Sequence, residues 1–376
     1  MSSSARPRVL ALMAFLAGAL VASCGGDDFT VDEPAGGAAG SANTAGAGGG
    51  DAGAAGTGGS AGIDGGGASC EGQPCRDGEY CGEDRQCHLC GELSRFEFDP
   101  PEPFDVINAK HQGSYLRYPR AAGERGLLYT VGNWVGNETA IWFTPDPTTS
   151  AGHAMPAPLD TEGVPESGPL STRAASEGML AGINVFWDRG TRSGSLNREL
   201  VGGVLNAAGQ VTSVAPLGAP INVVDTNNFG FAFAPLAARA WWISSRKGAL
   251  NLDLFTASVG PTSPATAAQV NLVTEPASCP SAGLDAAPWV TPDGRLLLFT
   301  SAEYYGDCSS KGSTQDLYAV GLDEHGQATG FGRRLNINLQ NVYDVQPSLS
   351  PDLCSLYFSS NRDGANQLRL YRARRK

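Results

Sequence analysis

Two stretches of this sequence repeat one another at a constant offset of 59 residues. The first is Asp285-Ala-Ala-Pro288-Trp-Val-Thr-Pro292-Asp293-Gly294-Arg-Leu-Leu-Leu-Phe299-Thr-Ser301. The second is Asp344-Val-Gln-Pro347-Ser-Leu-Ser-Pro351-Asp352-Leu-Cys-Ser-Leu-Tyr-Phe358-Ser-Ser360. A period of this size means one supersecondary unit used several times. Within the unit, Pro presets φ for a turn, Asp accepts a local backbone hydrogen bond, and Gly takes positive φ. Apolar alternation resumes at once, so each unit opens with a hairpin. Leu353 stands where the first copy has Gly294, which predicts a turn that differs in detail. A further strand follows each copy, around Asp316–Ala319 and Leu370–Ala373.

Three weaker copies precede these two. Phe229–Pro235 leads to Trp241–Arg246 and Leu252–Phe255. Ser176–Gly178 leads to Met179–Ile183 and Leu200–Leu205. Tyr115–Tyr118 leads to Leu127–Thr130 and Ala140–Phe143. Five copies over residues 98–376 give about 56 residues each, the size of a four-stranded propeller blade with inserted loops. Composition agrees. Gly (50) and Pro (24) make up about a fifth of 376 residues, and charged residues are 17%, which excludes a coiled coil or long bundle. A β-sandwich that repeats a turn is the rival architecture.

The Ser/Thr-Pro-Asp-Gly turns, Ser359-Ser-Asn-Arg362-Asp-Gly364 and the Leu-Tyr strand resemble the WD-repeat-like propeller repeats of TolB-type proteins. That resemblance implies six blades, whereas the copies imply five; a degenerate sixth would fall within 144–225. The fourth copy ends in an outer strand at Phe331–Asn336, and the fifth has none before Lys376. Residues 102–108 are therefore expected to pair with 367–372, closing the ring and removing its free edge.

The remainder of the chain reads as an address and a spacer. Arg6 and Arg8 precede an apolar run from Val9 to Ala22, the pattern of a signal peptide over residues 1–23. Val21-Ala22-Ser23-Cys24 resembles the lipobox of bacterial lipoproteins, which implies acylation at Cys24, membrane attachment through that lipid, and a place in the cell envelope, on the periplasmic or surface face of the outer membrane. In residues 25–69, 17 are Gly, and most of the others are small or polar, so 24–69 is expected to be a flexible, lipidated tether. Gly58-Gly59-Ser60-Ala61-Gly62 matches G-x-S-x-G but has no strand before it and no helix after it. Cys70, Cys75, Cys81, Cys87 and Cys90 define a cysteine-rich module over 70–97, similar to small growth-factor-type modules. With Cys24 lipidated, eight cysteines remain, an even number in an exported chain, so disulfides are expected rather than zinc. Cys279 and Cys308 are expected to pair. One module cysteine must reach the next domain, with Cys354 as its partner, or stay free.

Chemistry is sparse. Formal net charge is -12, which argues against phosphate-driven nucleic-acid binding. The four histidines, His88, His111, His153 and His325, are scattered, and no paired metal spacing occurs, so neither metal nor cofactor is expected. Asp285 and Asp344 hold equivalent places before an inner strand, and Asn228 matches them in the third copy. Such positions line one mouth of a propeller channel, where carboxylates either cap backbone amides or serve a hydrolase. Recurrence within the repeat favours capping. The expectation is a monomeric, non-catalytic envelope protein whose propeller binds another envelope macromolecule, protein or polysaccharide. The alternative is a hydrolase or lyase acting on glycan or peptide through channel-mouth carboxylates.

Overall fold

The computed structural model describes Cys70, residues 80–82, 85–88 and 96–376, apart from 124, 134–137, 160, 162–163, 191–197, 207–209, 247–251, 262–265, 271, 275–278, 281–284, 306–309 and 365. The signal peptide, Cys24 and the tether lie outside these residues, as do Cys308 and hence the expected Cys279–Cys308 bond.

Five four-stranded antiparallel sheets form a propeller. The first blade comprises Tyr115–Ala122, Gly126–Asn133, Glu138–Thr144 and His153–Ala154. The second comprises Glu166–Ser171, Val185–Gly190, Arg198–Leu205 and Val211–Pro216. The third comprises Asn228–Ala234, Arg239–Ser244, Asp253–Ser258 and Ala268–Gln269. The fourth comprises Ala286–Val290, Leu296–Tyr305, Ser310–Gly321 and Arg333–Arg334. The fifth comprises Asp344–Leu349, Ser355–Ser360, Arg369–Arg374 and Glu102–Pro103. The first strand of each blade contacts the first strand of the next, and that of the fifth contacts that of the first. Five apolar clusters fill the five gaps between neighbouring blades. Five blades is thus the answer, and residues 144–225 hold the second blade rather than a hidden sixth. Its second strand is Val185–Gly190, not Met179–Ile183, which forms a turn region.

The ring closes as the missing outer strand requires. Pro103 pairs with Tyr371 and Glu102 with Arg372. The closing strand is shorter than expected, because Asp105–Lys110 turns into a helix with Asp105 in its first turn and Lys110 in its last, the arrangement that suits the helix dipole. A side chain then takes over from backbone. Asn108 Nδ2 donates to the Leu370 carbonyl (3.0 Å), and its Oδ1 accepts from the Leu370 amide (3.0 Å). Asn222 clamps Leu200 and Asn338 clamps Leu317 in the same two-way manner, each on the third strand of its blade. The asparagine amide thus imitates one residue of an outer strand.

The repeated turns follow their sequence. Asp293 accepts from the Thr291 hydroxyl and the Arg295 amide, and Asp352 accepts from the Ser350 hydroxyl and the Cys354 amide. Leu353 adopts φ 59°, close to the 72° of Gly294, and both amides donate to the residue three back at 2.8 Å. The turn therefore does not change. Burial of the Leu353 side chain against Phe98 and Leu356 offsets a left-handed conformation that costs about 1–2 kcal/mol outside glycine.

In the cysteine-rich module Cys70 and Cys81 form a disulfide; Cys87 of the module and Cys354 of the fifth blade are each in a disulfide as well, though not with one another. The Cys81 amide donates to Asp293 Oδ2 (3.2 Å), so the module meets the propeller at the fourth blade's turn. Phe96 and Phe98 bury their rings in the cluster between the fourth and fifth blades.

Candidate functional site at the channel mouth

Every inner strand bulges at the same place. Pairing with the second strand shifts between Arg117 and Arg120, Ser167 and Leu170, Phe229 and Ala232, Ala286 and Trp289, and Val345 and Ser348. The residue after each first position has positive φ: Tyr118 50°, Gly168 61°, Gly230 60°, Ala287 50° and Gln346 61°. Proline follows four of the five, at 119, 169, 288 and 347, and it cannot donate to the ladder. The bulge frees an amide that stitches blades together. Gly168 donates to Thr130 Oγ1 of the previous blade (3.3 Å), and Gln346 donates to Thr300 Oγ1 (2.9 Å). Tyr118 closes the circle through Gln346 Oε1 (3.2 Å).

Arg120 crosses the centre. Its Nη1 donates to the carbonyls of Pro347 (2.6 Å) and Gln346 (3.3 Å), and its Nη2 reaches the Pro288 carbonyl (3.5 Å). One guanidinium thereby joins three blades. Burial pulls its pKa down to about 10, so it stays charged at neutral pH.

At the end where inner strands begin, the starting residues are Leu116, Glu166, Asn228, Asp285 and Asp344 in equivalent register, all buried. Asp344 accepts from the Leu339 amide (3.0 Å) and from Arg362 Nη2 (2.6 Å). Glu166 accepts from the amide and hydroxyl of Thr161. Asn228 donates to Thr226 Oγ1 (2.9 Å). Asn228, Asp285 and Asp344 thus occupy matching places on three successive blades. Glu166 is the fourth member of that set, and sequence reading passed over it because the second copy was registered on the wrong segment.

The same end carries a cluster that has no counterpart in the other blades. Asp188, on the second strand of blade two, stands where the other blades have Thr130, Ile243, Thr300 and Ser359. Its Oδ2 accepts from the Ser167 hydroxyl (2.6 Å) and from Arg198 Nη1, which also donates to Ser167 Oγ (2.7 Å). Asp188 Oδ1 is buried and has no hydrogen-bond partner among the described residues. A Cβ at Gly168 would come within 2.3 Å of that oxygen, so only glycine leaves room for it. Burial raises the carboxyl above the usual range, outweighing the opposing pull of Arg198, of the Ser167 hydroxyl and of the Gly230 amide. Asp188 in turn adds to the burial that pushes Tyr118 upward, and Arg117 is held down by burial beside them. No motif marks these residues in the sequence. Arg198 and Asp188 lie in a stretch without a recognisable turn signature.

Three cations near the C-terminus are engaged elsewhere. In the basic C-terminus, Arg372 pairs with Glu102 (3.0 Å), Arg369 donates to the Asn108 carbonyl, and Arg375 lies over Phe96. Among the described residues no group of three or more His, Cys, Asp or Glu is placed to hold a metal ion, and no helix is long and apolar enough to cross a membrane.

No family model and no curated protein matches the chain. Solved propellers are similar to it at low identity. A GH43 endo-arabinanase from Bacillus licheniformis shares 12% identity over 69% of this chain and 93% of its own, with a TM-score of 0.42. The α-L-arabinofuranosidase PaAbf62A from Podospora anserina shares 11% over 75% and 97%, with a TM-score of 0.45. A puromycin-hydrolyzing peptidase of Mycobacterium tuberculosis shares 14% over 74% of this chain and 39% of its own, with a TM-score of 0.34. These likenesses concern fold alone. The expectation that the chain is not an enzyme is withdrawn. That expectation rested on fold analogy to interaction propellers, and chains similar in fold include glycoside hydrolases and a peptidase.

Proposed function

We propose that this propeller is a hydrolase acting on a glycan, with its site at the mouth where the inner strands begin. The observation that carries the reading is Asp188. It departs from the repeat, its carboxyl is held above the ordinary range, and one oxygen is left without a partner. A carboxyl whose burial favours its protonated form suits a general acid for a glycosidic oxygen. Ser167 and Arg198 fix its orientation through Oδ2. Glycosidic hydrolysis needs a second carboxylate, and Asp285 and Asp344 are the candidates at neighbouring strand starts. The lipobox at Cys24 would place this activity on the cell envelope.

The test is release of reducing ends from a panel of neutral and acidic polysaccharides by the full chain, with Asp188→Asn, Asp285→Asn and Asp344→Asn alongside. Turnover should fall by about two to four orders of magnitude in Asp188→Asn, with no loss of thermal midpoint. Turnover that survives Asp188→Asn would remove Asp188 from the reaction. No turnover on any glycan would remove the hydrolase.

A further inference from the structure

The third and fifth blades contain the same arginine seat, and one of them lacks its carboxylate. In the fifth blade Arg362 Nε donates to Ser360 Oγ (3.2 Å), and Nη2 donates to the Ile337 carbonyl (3.2 Å) and to Asp344 Oδ1 (2.6 Å). The guanidinium lies over the Phe358 and Tyr371 rings at 4.8 and 5.3 Å. In the third blade Arg246 Nε donates to Ser244 Oγ (3.0 Å), and Nη2 donates to the Ile221 carbonyl (2.9 Å). Its guanidinium lies over Trp242 and Phe255 at 5.0 and 4.6 Å. The place of Asp344 is taken by Asn228, whose Oδ1 is buried with no hydrogen-bond partner among the described residues. No carboxylate among the described residues pairs with Arg246, and its partial burial pulls its pKa down with nothing to oppose it.

A guanidinium fixed by two hydrogen bonds and two rings, partly desolvated and without a counter-charge, is a prepared anion site. The fifth blade shows which anion suits the seat, since a carboxylate fills it there. The third seat also adjoins the Asp188 cluster. The Arg198 amide donates to Asn227 Oδ1 (3.0 Å), and the Asn227 amide donates to Ser245 Oγ (2.9 Å), next to Arg246. We infer that Arg246 receives the carboxylate of a uronic acid unit, so that the glycan taken at this mouth is acidic. This rests on the hydrolase reading for the choice of a glycan, and on the two seats for the choice of a carboxylate.

The test compares binding of the full chain to oligomers of galacturonate, mannuronate and glucuronate-substituted xylan with binding to their methyl esters, which keep the backbone and remove the charge. At least one acid should bind about tenfold more tightly than its ester, the worth of one partly desolvated ion pair. Arg246→Gln should abolish that preference. Asn228→Asp should abolish it too, by supplying the internal carboxylate that Asp344 supplies to Arg362, while raising the thermal midpoint. Equal binding of acid and ester in all three, or a preference that survives Asn228→Asp, overturns the inference. An acidic peptide that binds through Arg246 when no uronate does overturns the choice of glycan. The two readings fail separately. A neutral glycan cleaved without acid preference would sink this inference and leave the hydrolase, whereas an acid bound through Arg246 but never cleaved would do the reverse.

Discussion

The fourth and fifth blades keep the repeat, and the first and second depart from it. In the faithful pair, equivalent residues do equivalent structural work: Thr300 takes the Gln346 amide, and Asp344 takes Arg362. In the divergent pair Thr130 still takes the Gly168 amide, but Arg117, Tyr118, Asp188 and Arg198 gather there as well, with burial working against the charged forms of Arg117, Tyr118 and Asp188. Repetition is kept where a residue's task is to hold a blade, and it is lost where polar groups gather at the channel mouth. The part of the molecule that is easiest to recognise is therefore the part least informative about chemistry.

The sharpest break in that comparison would come from the two aspartates. Asp344→Ala leaves Arg362 without its carboxylate in a buried site and should cost about 3–5 kcal/mol, read by denaturant unfolding. Asp188→Asn should be neutral or stabilising at pH 7, because the native site binds this proton more tightly than the unfolded chain does. The cost of Asp188 is present above its native pKa and fades as pH falls through that value toward 3.8. Asp188→Asn should therefore gain stability over the parent at neutral pH and lose that advantage in acid. A large loss of stability in Asp188→Asn at pH 7 would make the two aspartates alike and erase the distinction.

Arg120→Met comes next. It strips donors from carbonyls of the fourth and fifth blades, and should cost about 2–4 kcal/mol. Asn108→Ala removes both bonds to Leu370 and should cost about 1–3 kcal/mol, weakening the closing blade without touching the mouth. The smallest effect concerns His111, which donates from Nε2 to the Tyr129 hydroxyl while that hydroxyl donates to the Ala151 carbonyl. Burial, with Lys110 adding to it, holds His111 at about 4. Its stabilisation is full above 6.5 and is lost as pH falls from 6.5 toward 4, since the unfolded chain takes up the proton first. His111→Gln should flatten thermal midpoints across that window.

Much of the architecture was legible because its determinants are local. The Pro-Asp-Gly turns and their following alternation locate the last two blades, and the want of an outer strand after Leu370–Tyr371 leads to the closure at Glu102–Pro103. The second blade was misread because its inner strand, Glu166-Ser-Gly-Pro-Leu-Ser171, lacks the apolar alternation of the others, and its bulge shows only as Gly168-Pro169. The mouth was harder still. Asp285, Asp344 and Asn228 were found by equivalence, but Asp188 and Arg198 come together through pairing of two strands across residues 191–197, and Asp188 differs in residue type from its counterparts in the other blades. The asparagine clamps escaped for a different reason. Asn222 and Asn338 follow their leucines by 22 and 21 residues, but Asn108 precedes its own by 262, so no single spacing betrays all three.

The bond between Glu102 and Arg372 spans 270 positions of chain. Joining ends that far apart costs about 3 kcal/mol more in loop entropy than joining a ten-residue hairpin. The first strand of the propeller must therefore wait, unpaired, until nearly everything after it has been synthesised and arranged. Until the two strands meet, the third strand of the last blade is a bare template for any extended segment that passes. Completing the fold is then a question of timing: Arg369–Arg374 decide when the growing molecule stops being sticky.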